Sequence, residues 1–266
     1  MKYFDSHAHY FDEKLAGQND LLSRLLSGEV AAIVNVGTSP DTSRAAVAQA
    51  AEFAGMYTAV GIHPSDCQQL TGTLEEHIAE IRALVTDPAS KAVAIGEIGL
   101  DYYWEPIDYE KQMAYFEAQL ALAEELSLPV IIHDREAHGA CFETVLRHPK
   151  VRGVFHSYSG SREMAQELVK RGWYISFSGT ISFKNASRVR EVAAALPHHA
   201  VLIETDAPYL TPHPHRGKVN HSGYLPFTCA ALAEAWGMSE DEVAAITKEN
   251  ACRFFGISLG TQNASE

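Results

Sequence analysis

Residues 1–9 read Met1-Lys2-Tyr3-Phe4-Asp5-Ser6-His7-Ala8-His9, and the change of character along them decides the fold. Met1–Phe4 is a short apolar run with a strand's aromatic content. It gives way to Asp5 and then to two histidines at i and i+2, which share one face of an extended chain. Seven more runs rich in Val, Ile and aromatics follow, at Ala31–Val36, Met56–Gly61, Ala92–Ile98, Pro129–Ile132, Val151–Phe155, Trp173–Phe177 and Ala200–Ile203. Continuous apolar character suits parallel strands buried on both faces.

Helical segments are expected between most of these runs. Asp20–Leu26 is short. Ser39-Pro40-Asp41 opens the next, with Pro in the first turn. Thr73 with Glu76 forms a capping box ahead of Ile78, Ile81 and Leu84. Asp108–Leu126 is amphipathic, with Met113, Phe116, Leu120 and Ala123 on one face. Further helices are expected from Ser161, over Lys184–Leu196 and Pro226–Trp236, and from Ser239 to Phe255. Alternation of strand and helix with eight strands reads as an α/β fold, a (β/α)8 TIM barrel; a doubly wound open sheet is the alternative. No linker-like stretch or composition break divides the chain. A single domain over residues 1–257 is expected, with the small, polar 258–266 as a frayed tail.

The chemistry is concentrated where the strands end. Strand one runs into His7 and His9, strand four into Glu97, strand five into His133, strand six into His156 and strand eight into Asp206. A barrel gathers all its strand C-termini on one face, where the active site lies. Taken singly, each of these side chains reads equally well as a hydrogen-bonded buried histidine or a loop carboxylate. Together they are imidazoles and carboxylates delivered to one place, the donor set of a transition-metal site. Six donors are too many for one tetrahedral ion and suit two divalent ions about 3.5–4 Å apart. Glu97 is then the bridge, with His7, His9 and Asp206 on one ion and His133 and His156 on the other. A cation of this kind lowers the pKa of a bound water to about 7. Asp206 and Glu97 are the catalytic candidates, Asp206 as proton acceptor and later donor. Asp5 and Asp101 are placed to line or support the site.

On these residues the sequence resembles the TatD family of metal-dependent deoxyribonucleases. The motifs that carry the resemblance are Asp5-Ser6-His7-Ala8-His9, Gly61-Ile62-His63-Pro64, Gly96-Glu97-Ile98-Gly99-Leu100-Asp101, Ile132-His133-Asp134-Arg135, His156-Ser157-Tyr158-Ser159-Gly160 and Glu204-Thr205-Asp206-Ala207-Pro208-Tyr209-Leu210. They cover nearly the whole chain, in family order. The resemblance implies a barrel and one or two divalent ions (Zn, Mn or Mg), with His7, His9, Glu97, His133, His156 and Asp206 as ligands; the donor count favours two. It implies phosphodiester hydrolysis at a DNA end. His63 is expected as a phosphate contact or as the shaper of its His-Pro turn. Arg135 is expected as a substrate contact, as are Arg216 and Lys218, since Arg forks suit phosphate oxygens. The family's Arg-x-Lys-x-Asn-x-Pro stretch appears here as Arg216-Gly217-Lys218-Val219-Asn220-His221-Ser222, without the Pro. The His-rich 211–221 loop reads as exposed spare histidines.

The formal net charge of −13 argues against a protein that coats nucleic acid. It is uneven. Residues 1–133 hold 7 Lys+Arg against 20 Asp+Glu, whereas residues 134–266 hold 14 of each. The span 147–190 alone carries nine basic residues and two acidic ones. The reading is an enzyme that binds DNA or another phosphodiester weakly, through its metals and a few local cations. The alternative is a hydrolase of a small amide, ester or lactone on the same barrel, since fold does not fix substrate. A non-catalytic binding module needs less than this ligand set supplies. Cys67, Cys141, Cys229 and Cys252 form no CxxC pair and read as ordinary thiols. With neither a signal-like N-terminus nor an 18-residue apolar run, a cytoplasmic protein without a membrane partner is expected.

Overall fold

The computed structural model describes residues 2–259. Residues 260–266, most of the expected tail, lie outside the described residues. Eight parallel strands pair in sequence order: β1 Tyr3–Ala8, β2 Val30–Val36, β3 Met56–Val60, β4 Ala92–Asp101, β5 Val130–Arg135, β6 Gly153–Phe155, β7 Tyr174–Phe177 and β8 Val201–Ile203. The sheet closes at the C-terminal ends of its first and last strands. There Ala8 bridges Ala207 in parallel, the Asp206 N–H donates to His7 O (2.9 Å) and the His9 N–H to Ala207 O (2.7 Å). That closure makes the chain a TIM barrel and removes the open-sheet alternative.

The helices are α1 Asn19–Ser27, α2 Pro40–Glu52, α3 Pro64–Cys67, α4 Leu74–Thr86, α5 Tyr109–Leu126, α6 His138–Arg147, α7 Arg162–Lys170, α8 Ser187–Ala195, α9 Leu225–Trp236 and α10 Glu240–Phe255. Capping boxes at Ser39/Thr42, Thr73/Glu76 and Ser239/Glu242 start α2, α4 and α10. The sequence reading passes over α6. Its start at Ala137 has no side-chain cap, so no start signal marks it.

Side chains alternate along the strands. Phe4, Val34, Ala59, Ala94, Ile131, Val154 and Leu202 fill the space inside the strands, where Phe254 and Phe255 of α10 join them. Phe4 stacks on Phe255 with centroids 5.9 Å apart. The intervening residues, among them Val60, Ile95, Ile132, Phe155 and Ile203, pack outward against the helices. This filled interior leaves the C-terminal rim as the place for polar chemistry. All four cysteines are free. No helix is long and apolar enough to cross a membrane. Much of the basic 147–190 span is paired: Arg147 with Glu117, Lys150 with Glu124, and Lys170 and Arg171 with Glu167.

Candidate metal centre

Five segments deliver the six residues of the site. His7 lies in β1 and His9 just beyond it, Glu97 lies in β4, His133 in β5, and His156 and Asp206 follow β6 and β8. Their side chains converge although they span two hundred residues of sequence. Glu97 stands at the centre and is nearly wholly buried. Its Oε2 lies 3.3 Å from His7 Nε2 and 3.6 Å from His9 Nε2. Its Oε1 lies 2.7 Å from His133 Nδ1 and 2.8 Å from His156 Nε2. Each carboxylate oxygen thus faces a different histidine pair. Asp206 Oδ1 sits beside the first pair, 3.3 Å from His9 Nε2 and 3.7 Å from His7 Nε2.

The outer hydrogen bonds of the rings assign their protons. His9 Nδ1–H donates to the Val36 carbonyl (2.7 Å), His156 Nδ1–H to Glu204 (3.2 Å) and His133 Nε2–H to Asp101 (2.9 Å). In the neutral ring the other nitrogen is then a lone pair, and these lone pairs face inward. The inward nitrogens are crowded: His7 Nε2 is 3.1 Å from His9 Nε2, and His133 Nδ1 is 3.3 Å from His156 Nε2, while the buried Nδ1 of His7 has no partner to fix that ring. Buried nitrogens and carboxylates at such spacings need positive charge among them, as bound protons or as metal ions. The donor set fits divalent metal ions, and the outer carboxylates and carbonyl are the partners that orient metal-binding imidazoles.

The electrostatics follow from this crowding. Burial opposes ionisation of Glu97, but His156, His63 and His7 hold its carboxyl well below the usual range. Burial likewise opposes the charged form of His156, yet Glu97 and Glu204 raise its pKa well above the ordinary value. Asp206 is held below its ordinary value against burial, chiefly by His9, so it is ionised at neutral pH and free to accept a proton. Below the ligands, Asp5 is fully buried. Its carboxylate accepts from Thr205 Oγ1 and Ser222 Oγ (2.6 Å each) and from the Thr205 N–H (2.9 Å). It ties β1 to the turn that carries Asp206.

His63 both shapes its turn and enters the site. Its Nδ1 accepts the Ser65 N–H at 3.1 Å and caps α3. The neutral ring therefore carries its proton on Nε2, which points at Glu97 Oε1 3.7 Å away. Burial and His133 lower its pKa to about 3. By spacing, His63 could join Glu97 and His133 as a ligand triplet, but an Nε2–H donates and does not ligate. The three expected cations stand further out. The Arg135 guanidinium lies 4.2 Å over the Tyr103 ring and that of Arg216 4.3 Å over Phe183. Arg216 and Lys218 line an open cavity of about 420 Å³ with Lys14, Pro208 and Leu210. Among the described residues none of these cations pairs with a carboxylate. Of the outer partners, the sequence reading names Asp101 and misses Glu204, although an acid directly after the apolar run of β8 is a visible signal. The Val36 carbonyl carries none.

The model of the family described as TatD related DNase matches residues 4–256. The uncharacterized metal-dependent hydrolase YabD of Bacillus subtilis is 40% identical over 259 residues, 96% of this chain and 99% of that protein. A protein of Escherichia fergusonii named 3'-5' ssDNA/RNA exonuclease TatD is 35% identical over 251 residues, 91% of this chain and 94% of its own length. In structure, the TatD homolog YjjV of Escherichia coli superposes with a TM-score of 0.89 at 29% identity, covering 96% of this chain and 98% of that one. With one family model spanning nearly the full barrel and relatives matched end to end, the chain belongs to the TatD-related DNase family of metal-dependent hydrolases.

Proposed function

We infer that this hydrolase cleaves phosphodiester bonds of DNA, working from a strand end. The observation that carries the reading is Glu97, whose two oxygens face two separate histidine pairs. That arrangement serves a pair of divalent ions, with His7, His9 and Asp206 on one side and His133 and His156 on the other. When bound, the ions supply charge to the phosphate oxygens and acidify an attacking water. The chain's own groups do the rest. Ionised Asp206 accepts the proton of the attacking water and returns it to the leaving oxygen as the P–O bond breaks. The His63 Nε2–H is placed to donate to a phosphate oxygen. Arg216 and Lys218, on the segment that follows Asp206, and Lys14 supply cations to one open cavity. Their open, charged cavity favours a polyanionic strand over a small acyl substrate, which calls for an enclosed apolar pocket. The exonuclease name of the E. fergusonii relative supports attack at an end.

The test is a labelled single-stranded oligonucleotide incubated with purified protein and Mg²⁺ or Mn²⁺. A ladder shortening progressively from one end is expected, and Asp206→Asn abolishes it. An intact strand across several metals, with turnover of an amide, ester or lactone, overturns the reading.

A further inference from the structure

Large hydrophobic side chains are strongly exposed at five described positions: Tyr103, Trp104, Tyr109, Tyr209 and Val219. Three of the five fall within seven residues, in the loop between β4 and α5 and at the first position of α5. Trp104 is 61% exposed and Tyr103 50%. Their rings meet edge to face with centroids 4.9 Å apart. Tyr109 extends the patch by packing edge-on against Tyr102 at 4.7 Å. The Arg135 guanidinium lies over Tyr103 and stands 6.0 Å from the Trp104 ring. Concentrated aromatic surface of this kind on a monomer marks a binding site.

Its position relative to the ligand cluster is fixed by one carboxylate. Asp101 Oδ1 accepts the N–H groups of Tyr103 (2.9 Å) and Trp104 (3.2 Å). Its other oxygen accepts the Nε2–H of His133 (2.9 Å). The aromatic loop and a candidate metal ligand are therefore held by the two oxygens of one side chain. Arg135 pairs with Asp101 in the β4–β5 register, so the cation is anchored to the same rim.

We propose that Tyr103 and Trp104, with Arg135 against them, form a stacking platform for an unpaired nucleobase of a strand whose phosphate lies at the ligand cluster. The inference rests on the phosphodiesterase reading above and assigns where an unpaired base of the strand lies. Aromatic rings take bases of any identity by their π faces, and an adjacent Arg serves the backbone phosphate. A base inside a duplex keeps its faces against its neighbours and cannot reach such a platform. The acidic bulk of the chain does not oppose this, because the platform brings its own cation.

The test compares an oligothymidylate with an abasic strand of the same length. Of the three tryptophans, Trp173 is buried and Trp236 packs against His198, so quenching by a strand reports Trp104. Oligothymidylate is expected to quench the fluorescence of the uncleaving Asp206→Asn protein, and the abasic strand is not. In the active protein, Tyr103→Ala with Trp104→Ala raises KM for the base-bearing strand about tenfold, the scale of one base–aromatic stack. The preference for base-bearing over abasic strand falls towards unity, and Trp104→Phe restores it. Cleavage with no quenching and an unchanged preference overturns the platform while the hydrolytic reading stands. Quenching without cleavage of either strand overturns the hydrolytic reading and leaves the platform. Concentration-dependent self-association that the double variant abolishes, with no quenching, overturns the proposal and makes the patch a contact between copies of the chain.

Discussion

His133 donates its Nε2–H to Asp101 at 2.9 Å and thereby turns its Nδ1 towards Glu97 at 2.7 Å. Asp101 touches no other ligand candidate directly, so its part is to fix the tautomer and angle of one imidazole. Losing such a partner weakens metal affinity by about 10–100-fold. Asp101→Ala is expected to do so in calorimetric titrations with Zn²⁺ or Mn²⁺, whereas Asp101→Asn, which still offers an acceptor, falls between. Equal affinity in wild type and Asp101→Ala would remove Asp101 from the site.

His63 separates a substrate contact from a ligand. Since its Nδ1 caps α3, its Nε2 carries the proton. His63→Ala is expected to retain the wild-type metal stoichiometry by elemental analysis while kcat/KM on a DNA strand drops about 10–100-fold, roughly 1.5–3 kcal/mol. Loss of one metal equivalent would instead make His63 a ligand.

Gly99 is a packing requirement at the same strand pair. Its φ is +139°, and a Cβ built there would stand 2.0 Å from the His133 carbonyl oxygen. No rotamer change relieves a clash with backbone. Gly99→Ala is expected to destabilise the fold by about 3 kcal/mol or more in urea unfolding, with metal affinity falling alongside as β4 and β5 part. A shift below about 0.5 kcal/mol, the range of neutral surface changes, would contradict this account.

Away from the site, Glu117 sits between Arg147 and His148. Partial burial raises its pKa, but the two partners prevail and hold it below the ordinary 4.5. A depressed carboxyl stabilises the fold above its unfolded pKa, and that contribution is lost as pH falls through the folded value. Glu117→Gln is therefore expected to lower the urea midpoint at about pH 7, with the difference shrinking as pH falls below the ordinary 4.5. The half-exposed Arg147 keeps the effect small. A midpoint difference that persists unchanged at the acid end would refute the assignment.

The eight strands were legible because each is an apolar run long enough to be buried on both faces, and period-two burial is a local property of the chain. The site's donor types were legible for the same reason: His7, His9, Glu97, His133, His156 and Asp206 each lie at or just past an apolar run, and a barrel collects those ends on one face. Helix α6 was not, because no capping residue marks its start at Ala137.

Which nitrogen of His9, His133 and His156 faces inward was written nowhere along the chain. It depends on Val36, Asp101 and Glu204, which lie 27, 32 and 48 residues from the rings they bond. The division of Glu97 between two histidine pairs is likewise a matter of strand register and side-chain angle. Arg135 shows the same limit from another side: that its guanidinium lies on Tyr103 could not be read from the motif beside it. Composition and periodicity report what a segment can be. Tautomers, bridges and stacks are relations between segments far apart in sequence, and they exist only once the barrel has closed.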